Sequence, residues 1–417
     1  MPSKRNNILL LIYLLTILIF FDLISARITL EDNITVSSVY FHHKLQAEYE
    51  GSFRWGDQSV PVYTNSLGFK DRAVRDIPMA SDRQRLLFIG DSFTFGVGYP
   101  YEKTFVGLID KAYSSEGAGV EVLNAGVTSY SAAIYYWKVR YLLEGLGLNF
   151  DELHVYFDIS DGADAIRHEG RLPLPPNDRS SWRLIKNRVD LFLKENSLLY
   201  RIILRDLIEM AIHSLREKLS NAAVPPSPPR APERNNPATT VAGAAGEIEP
   251  AAPPAQPTKE VVCIVADCPW ATMAQFYKEV DKWTIDPELH ERWGKRGLDL
   301  ARHYIELLHQ LCEKHGIRMT FAVYSWPAQI LAKDENSLQV SFWRRFTEER
   351  NISFINHFPD FMPPDVPPLE IRKKLFIPGD NHWNDKGHEL IARRWLVERC
   401  LAGSGAEPWC DRDTQLH

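Results

Sequence analysis

The chain reads as an α/β protein built on a parallel, doubly wound sheet flanked by helices, and three observations predict it. Brief, wholly apolar runs, 86–89 foremost, suit strands buried on both faces. Stretches with apolar residues at helical spacing alternate with those runs. The residues with the most chemistry in them fall where the strands end, which is where open α/β sheets gather ligands.

The elements follow in order. Lys4 and Arg5 precede an apolar run over 8–24, broken only by Thr16 and Asp22. As a helix that run spans roughly 26 Å, close to the hydrocarbon depth of a thin bilayer. The basic residues come before it and Glu31 and Asp32 after it, so the bulk of the chain is expected to be exported. The expected layout is a cytoplasmic tail over 1–7 and a single-pass inner-membrane anchor over 8–24, with the rest periplasmic or extracytoplasmic. Ile24-Ser25-Ala26 offers the alternative of a cleaved signal peptide.

Residues 25–75 are expected to be a β-rich lead-in, with short apolar stretches and the turn-like Trp55-Gly56-Asp57. The main domain opens over 76–221. Its first strand, 86–89, stops at Gly90-Asp91-Ser92-Phe93, and a helix follows over 104–113. A second strand ends over 120–123 before Asn124-Ala125-Gly126. A helix over 132–143 leads to a third strand, 153–159, ended by Ser160-Asp161-Gly162. Residues 182–219 form an amphipathic stretch with Arg183, Lys186, Arg188, Lys194 and Arg201. It reads as helix packed on the core with a solvated basic face, or as a contact for anionic lipid.

Residues 222–258, rich in Pro and Ala and free of aromatics, read as a disordered linker that interrupts the domain. The domain resumes over 259–400. A helix over 294–315 carries Leu298, Leu300, Ala301, Tyr304, Ile305 and Leu308 on one face, a strand follows over 318–324, and a helix over 383–398 closes it. A tail covers 401–417.

Composition excludes several classes. The 417 residues are 45% hydrophobic and 24% charged with a net charge of -6, which rules out collagen-like, coiled-coil and wholly disordered chains. A sequence pI near 6.1 supplies no basic footprint for nucleic acid. The five cysteines are Cys263, Cys268, Cys312, Cys400 and Cys410. In an exported chain Cys263–Cys268 and Cys400–Cys410 could pair and leave Cys312 over; the alternative is five reduced, buried thiols. No Cys-x-x-Cys pair exists to support a zinc ribbon or a thioredoxin-type site.

A serine after the first strand and the loop Pro378-Gly379-Asp380-Asn381-His382-Trp383-Asn384 together offer a nucleophilic triad. A serine hydroxyl is too weakly acidic to attack unaided and needs an imidazole to take its proton. The imidazole needs a carboxylate on its other nitrogen to fix its tautomer, and Asp-x-His places both on one turn. Taken singly, Ser92 suits a helix cap and Asp380-x-His382 a hydrogen-bonded turn. An α/β-hydrolase elbow is excluded, because Thr94 stands where Gly-x-Ser-x-Gly needs glycine. A metal site from Asp380, His382, Asp385 and His388 is the weaker reading, since Asp385 suits a helix cap and His388 begins the helix. No metal or cofactor is expected.

Gly90-Asp91-Ser92-Phe93-Thr94-Phe95-Gly96 resembles the first block of the SGNH (GDSL-type) esterases and acyltransferases. Asp380-x-His382-Trp383-Asn384, followed by Gly387-His388, resembles their last block in the form found in polysaccharide O-acetylation proteins, including those of alginate synthesis. Asn65-Ser66-Leu67-Gly68-Phe69-Lys70-Asp71 and Tyr324-Ser325-Trp326-Pro327 are similar to accessory motifs of bacterial members. The resemblance spans about 50–400 and implies a flavodoxin-like sheet. It also implies Ser92 as nucleophile, His382 as general base and Asp380 as its orienter. The implied oxyanion hole uses the Ser92 N–H, the Gly126 N–H and a third-block Asn side chain. Here Ser160-Asp161 replaces Asn-Asp, leaving Ser160 a shorter-reaching hydroxyl donor.

The function this implies is a membrane-anchored esterase or acetyltransferase acting on a cell-envelope or exported polysaccharide. Its partners would be an acetylated saccharide or acetyl donor, with a membrane acyl-transfer or polysaccharide-export protein, and no nucleic acid. The alternative is a catalytically degenerate fold that binds polysaccharide or scaffolds an assembly.

Overall fold

The computed structural model describes residues 4–29, 34–115, 119–168, 279–401 and 410, with some positions between 185 and 200. The expected linker, most of 182–219, Cys263 and Cys268 lie outside the described residues. Two compact units result, one of Met1–Glu31 with Asp190–Val261, the other of Asp32–Val189 with Val262–His417.

In the first unit the apolar N-terminal run forms most of a helix, α1 (Lys4–Thr29). Its polar interruption is matched: Asp22 accepts from Ser197 Oγ at 2.5 Å and from Leu199 N at 2.8 Å. Among the described residues no helix is long and apolar enough to cross a membrane. The expected 8–24 anchor falls within α1.

Among the described residues the second unit is built on an eight-stranded sheet that runs, edge to edge, Ser353–Asn356, Arg318–Val323, Glu152–Phe157, Gln84–Ile89, Val120–Asn124, Lys70–Asp71, Gln58–Thr64 and Glu50–Trp55. Its parallel part comprises β6 (Gln84–Ile89), β7 (Val120–Asn124), β8 (Glu152–Phe157), β9 (Arg318–Val323) and β10 (Ser353–Asn356). Counted within that part, the strands run 2-1-3-4-5, the flavodoxin-like order with its switch point between β6 and β8. The 86–89 run sits at this centre, and Leu86, Leu87, Phe88 and Ile89 are all fully buried.

The sheet is mostly parallel, as expected, but mixed, and strands of the β-rich lead-in join it. β3 (Glu50–Trp55), β4 (Gln58–Thr64) and β5 (Lys70–Asp71) extend it antiparallel, β5 meeting β7 at Lys70↔Asn124. Among the described residues, β1 (Thr35–Ser38) and β2 (His42–Leu45) form a hairpin apart from this sheet.

Helices cover both faces. Among the described residues they include α2 (Ser92–Phe95), α3 (Phe105–Ser115), α4 (Ala132–Arg140), α5 (Asp161–His168), α6 (Lys295–His315), α7 (Pro327–Leu331), α8 (Leu338–Glu348), α9 (Phe358–Phe361), α10 (Pro368–Leu375) and α11 (Asp385–Arg399). Trp395 of α11 packs on Phe88 and His154, whereas Trp343 of α8 packs on Phe157 and Phe321. His154 and Phe157 lie three residues apart on β8, so alternation puts them on opposite faces. The apolar stripe predicted over 294–315 is the buried side of α6, which packs on α4 and α5. The last helix starts at Asp385 rather than 383, because the Asn384 side chain caps it through the Gly387 N–H. Trp383 instead bridges Phe376.

Candidate active site

The position of Ser92 follows from the end of β6. Asp91 caps α2 by accepting the Phe93 N–H at 3.0 Å. A Cβ on Gly90 would stand 2.0 Å from Thr94 Oγ1 and 3.0 Å from the Tyr156 carbonyl oxygen. Glycine therefore lets α2 fold back against β6 and β8, and Ser92 takes the first helical position at the switch point.

From the far end of the chain, a turn through Gly379 (φ 78°) delivers Asp380 and His382 to the same place. Ser92 Oγ lies 2.7 Å from His382 Nε2, and His382 Nδ1 lies 2.6 Å from Asp380 Oδ1. The same Asp380 oxygen accepts the backbone N–H groups of Asn381 (2.6 Å) and His382 (3.1 Å). Burial raises the Asp380 pKa, but the hydrogen bond and charge of His382, then the Trp55 indole, outweigh it and hold the carboxyl well below its usual range. An ionised carboxylate only accepts, so Nδ1 carries the ring proton and Nε2 presents its lone pair to Ser92. That is the arrangement in which an imidazole can take a proton from a serine hydroxyl.

Both accessory motifs reach this point. Asn65 Oδ1 accepts from Leu67 N and Phe69 N and shapes its loop, which directs Lys70 inward. The Lys70 ammonium donates to the carbonyls of Gly96 (3.0 Å) and Tyr99 (2.6 Å), just past α2, and burial pushes its pKa down to about 7. Tyr324 Oη lies 3.2 Å from both Asp91 Oδ1 and Asp158 Oδ2, and the Trp326 indole donates to Asp158 at 2.8 Å. One hydroxyl proton cannot serve both carboxyls. Burial, then the nearby Asp158, pushes Asp91 well above its usual range, and burial pushes Asp158 up as well.

Two of the three expected oxyanion donors are engaged elsewhere. The Ser160 Oγ and N–H both donate to Asp158 Oδ1 at 2.7 Å. The Gly126 N–H donates to Asn124 Oδ1 at 3.0 Å, and the Asn124 amide in turn donates to the Thr94 carbonyl at 2.9 Å. The Ser92 N–H lies in the first turn of α2, where a helix leaves its N–H groups without intrahelical acceptors. Asp161, beside Ser160, is buried and accepts from Tyr135 Oη at 2.6 Å and from Asp158 N at 2.7 Å.

Sequence reading missed two contributors. Trp55 donates its indole N–H to Asp380 Oδ2 at 2.6 Å from 325 residues away, and no local pattern marks it. Asp158 was passed over for Ser160, although a carboxylate at a strand end in an apolar run was a usable signal.

His388 serves the core. It is buried, and its Nδ1 accepts the Phe105 N–H at 3.3 Å. Burial, then the charges of Lys70 and His382, pushes its pKa down to about 3. The unfolded chain holds this histidine near pKa 6.5, so it binds an extra proton between pH 6.5 and 3. The stability that depends on a neutral His388 is complete above pH 6.5 and is lost toward pH 3, by up to about 1.4 kcal/mol per pH unit. Urea unfolding of the parent and of His388→Gln should therefore show a stability gap that narrows from pH 6.5 to 4.5; a constant gap would assign the acid sensitivity to other groups. Among the described residues no three His, Cys, Asp or Glu side chains converge to hold a metal ion.

Cys400 and Cys410 form a disulfide, and Cys312 is a buried free thiol on α6.

The sequence matches no protein-family model. No curated protein matches it. Among solved structures, the chain is similar to the psychrotrophic esterase EstA from Pseudoalteromonas sp., at 12% identity over 77% of this chain and 100% of that one, with a TM-score of 0.34. It is similar to the acetylxylan esterase Axe2 from Geobacillus stearothermophilus at 12% identity, over 77% of this chain and 96% of that one, with a TM-score of 0.36. At these values the likeness carries neither an activity nor a substrate to this chain.

Proposed function

We propose that the protein is an SGNH-like serine ester hydrolase or O-acyltransferase that works through an acyl-enzyme on Ser92. The supporting observation is the 2.7 Å contact between Ser92 Oγ and His382 Nε2, with Asp380 on the other ring nitrogen. In the first half-reaction Ser92 Oγ attacks the ester carbonyl and its proton passes to His382 Nε2. Collapse of the tetrahedral intermediate breaks the bond to the alcohol, which leaves with that proton. In the second half, His382 deprotonates the acceptor, which attacks the acyl-serine and releases Ser92. Water as acceptor gives hydrolysis, and a sugar hydroxyl gives transfer.

The substrate in this proposal is an acetylated, or acetyl-accepting, cell-envelope or exported polysaccharide. Its support is the resemblance of the Asp380-x-His382 block to the last block of polysaccharide O-acetylation proteins. An extracytoplasmic location belongs to the same proposal, supported by the Cys400–Cys410 disulfide, which persists in oxidising compartments. A second reading, a saccharide-binding protein without turnover, is favoured by the engagement of Ser160 and Gly126.

Hydrolysis of p-nitrophenyl acetate by the parent and by Ser92→Ala separates the two. Loss of the parent rate to background in the variant is the expected result, and equal rates would remove the enzyme reading. Oligosaccharide acceptors, scored by mass gain of an acetyl group, then divide transfer from hydrolysis.

A further inference from the structure

The turn that carries Asp380 has built-in support for only one of its carboxylate oxygens. Oδ1 accepts three donors from its own turn: the Asn381 N–H, the His382 N–H and His382 Nδ1. Among the described residues, Oδ2 has one donor, the indole N–H of Trp55 at 2.6 Å. The Asp380 side chain keeps 26% of its exposure, so without that donor water would compete for Oδ2.

Trp55 ends β3, at the tip of the β3–β4 hairpin, and its ring stands edge-on to His382 with centroids 5.0 Å apart. Phe53, two residues back on the same face, stacks on Trp55 and meets Phe95 of α2 edge-to-face at 5.1 Å. One edge hairpin thus touches both halves of the triad: Phe53 braces the helix bearing Ser92, and Trp55 holds the Asp380–His382 pair.

We propose that Trp55 is a positioning residue whose N–H locks the Asp380 carboxylate and whose ring screens the Nδ1–Oδ1 bond from water. The role rests on the acyl-enzyme reading, since an oriented imidazole matters only if it takes a proton. A neutral donor to a carboxylate is a charge-assisted bond, roughly twice as strong as a neutral pair. Trp55→Phe keeps the ring and removes the donor; Trp55→Ala removes both.

The test measures kcat and KM for p-nitrophenyl acetate, together with the proton NMR resonance of His382 Nδ1–H, which a 2.6 Å bond to a carboxylate moves far downfield. Trp55→Phe should lower kcat about 10- to 100-fold with KM unchanged and shift the downfield proton. Trp55→Ala should cost more and broaden that resonance by exchange with water. Arg54→Ala, on the exposed side of the same strand, controls for hairpin damage and should match the parent. A Trp55→Phe enzyme within twofold of the parent, with the resonance unmoved, overturns the proposal; so does an equal loss in Arg54→Ala. If Ser92→Ala turns over as fast as the parent, the acyl-enzyme reading falls instead, and the resonance alone decides whether Trp55 holds Asp380.

Discussion

Asp380→Asn is expected to lower kcat/KM for acetyl-ester hydrolysis by roughly ten-thousand-fold while leaving the fold intact, as loss of a triad carboxylate typically does. The reason lies in how fully the two oxygens are used. Oδ1 faces three N–H donors and Oδ2 faces the Trp55 N–H. An amide can meet only one side. With its oxygen toward the turn, its NH2 opposes Trp55; flipped, it opposes the turn and donates to His382 Nδ1, which moves the ring proton to Nε2 and away from its use as a base. In both orientations the charge that stabilises the imidazolium is gone. Steady-state kinetics beside circular dichroism measure this, and a rate within tenfold of the parent would take Asp380 out of the role.

The second large effect is on stability. Trp383→Ala should destabilise the domain by about 3–5 kcal/mol, the usual range for emptying a buried aromatic site. Trp383 is fully buried next to His382, its ring meeting Phe93, Tyr324, Phe105, Phe361 and His388. Those neighbours come from α2, the segment after β9, α3, α9 and α11, so the cavity would loosen the elements that hold Ser92 against His382. Urea denaturation gives the stability change. Activity measured well below the unfolding midpoint should fall as well, because Phe93 also packs on the His382 ring at 4.6 Å. A destabilised variant with parental activity would show that this packing holds the domain together without setting the triad geometry.

Much of this was legible from residues close in the chain. The 86–89 run announces a central strand because a strand with neighbours and helices on every side can take only apolar side chains. The α6 stripe announces its own buried side. Asp380 and His382 are two residues apart, so a single turn sets their bond. The Gly90-Asp91-Ser92 segment was legible as a strand end, whereas its cap proved to be Asp91 and Ser92 the first residue of a short helix.

What the tertiary structure alone decided concerns partners far apart in sequence. Hydrogen bonding and sterics among neighbours fix a turn or a helix, whereas a contact between distant segments depends on strand order and packing throughout the domain. Ser92 and His382 meet across 290 residues only because β6 lies at the switch point and the last loop returns over it. The lead-in became the sheet's edge through a single Lys70↔Asn124 pair, and that edge brought Trp55 to Asp380. Ser160 was read from its place in a motif, but a hydroxyl turns to the strongest acceptor in reach, and the buried Asp158 beside it took both of its donors.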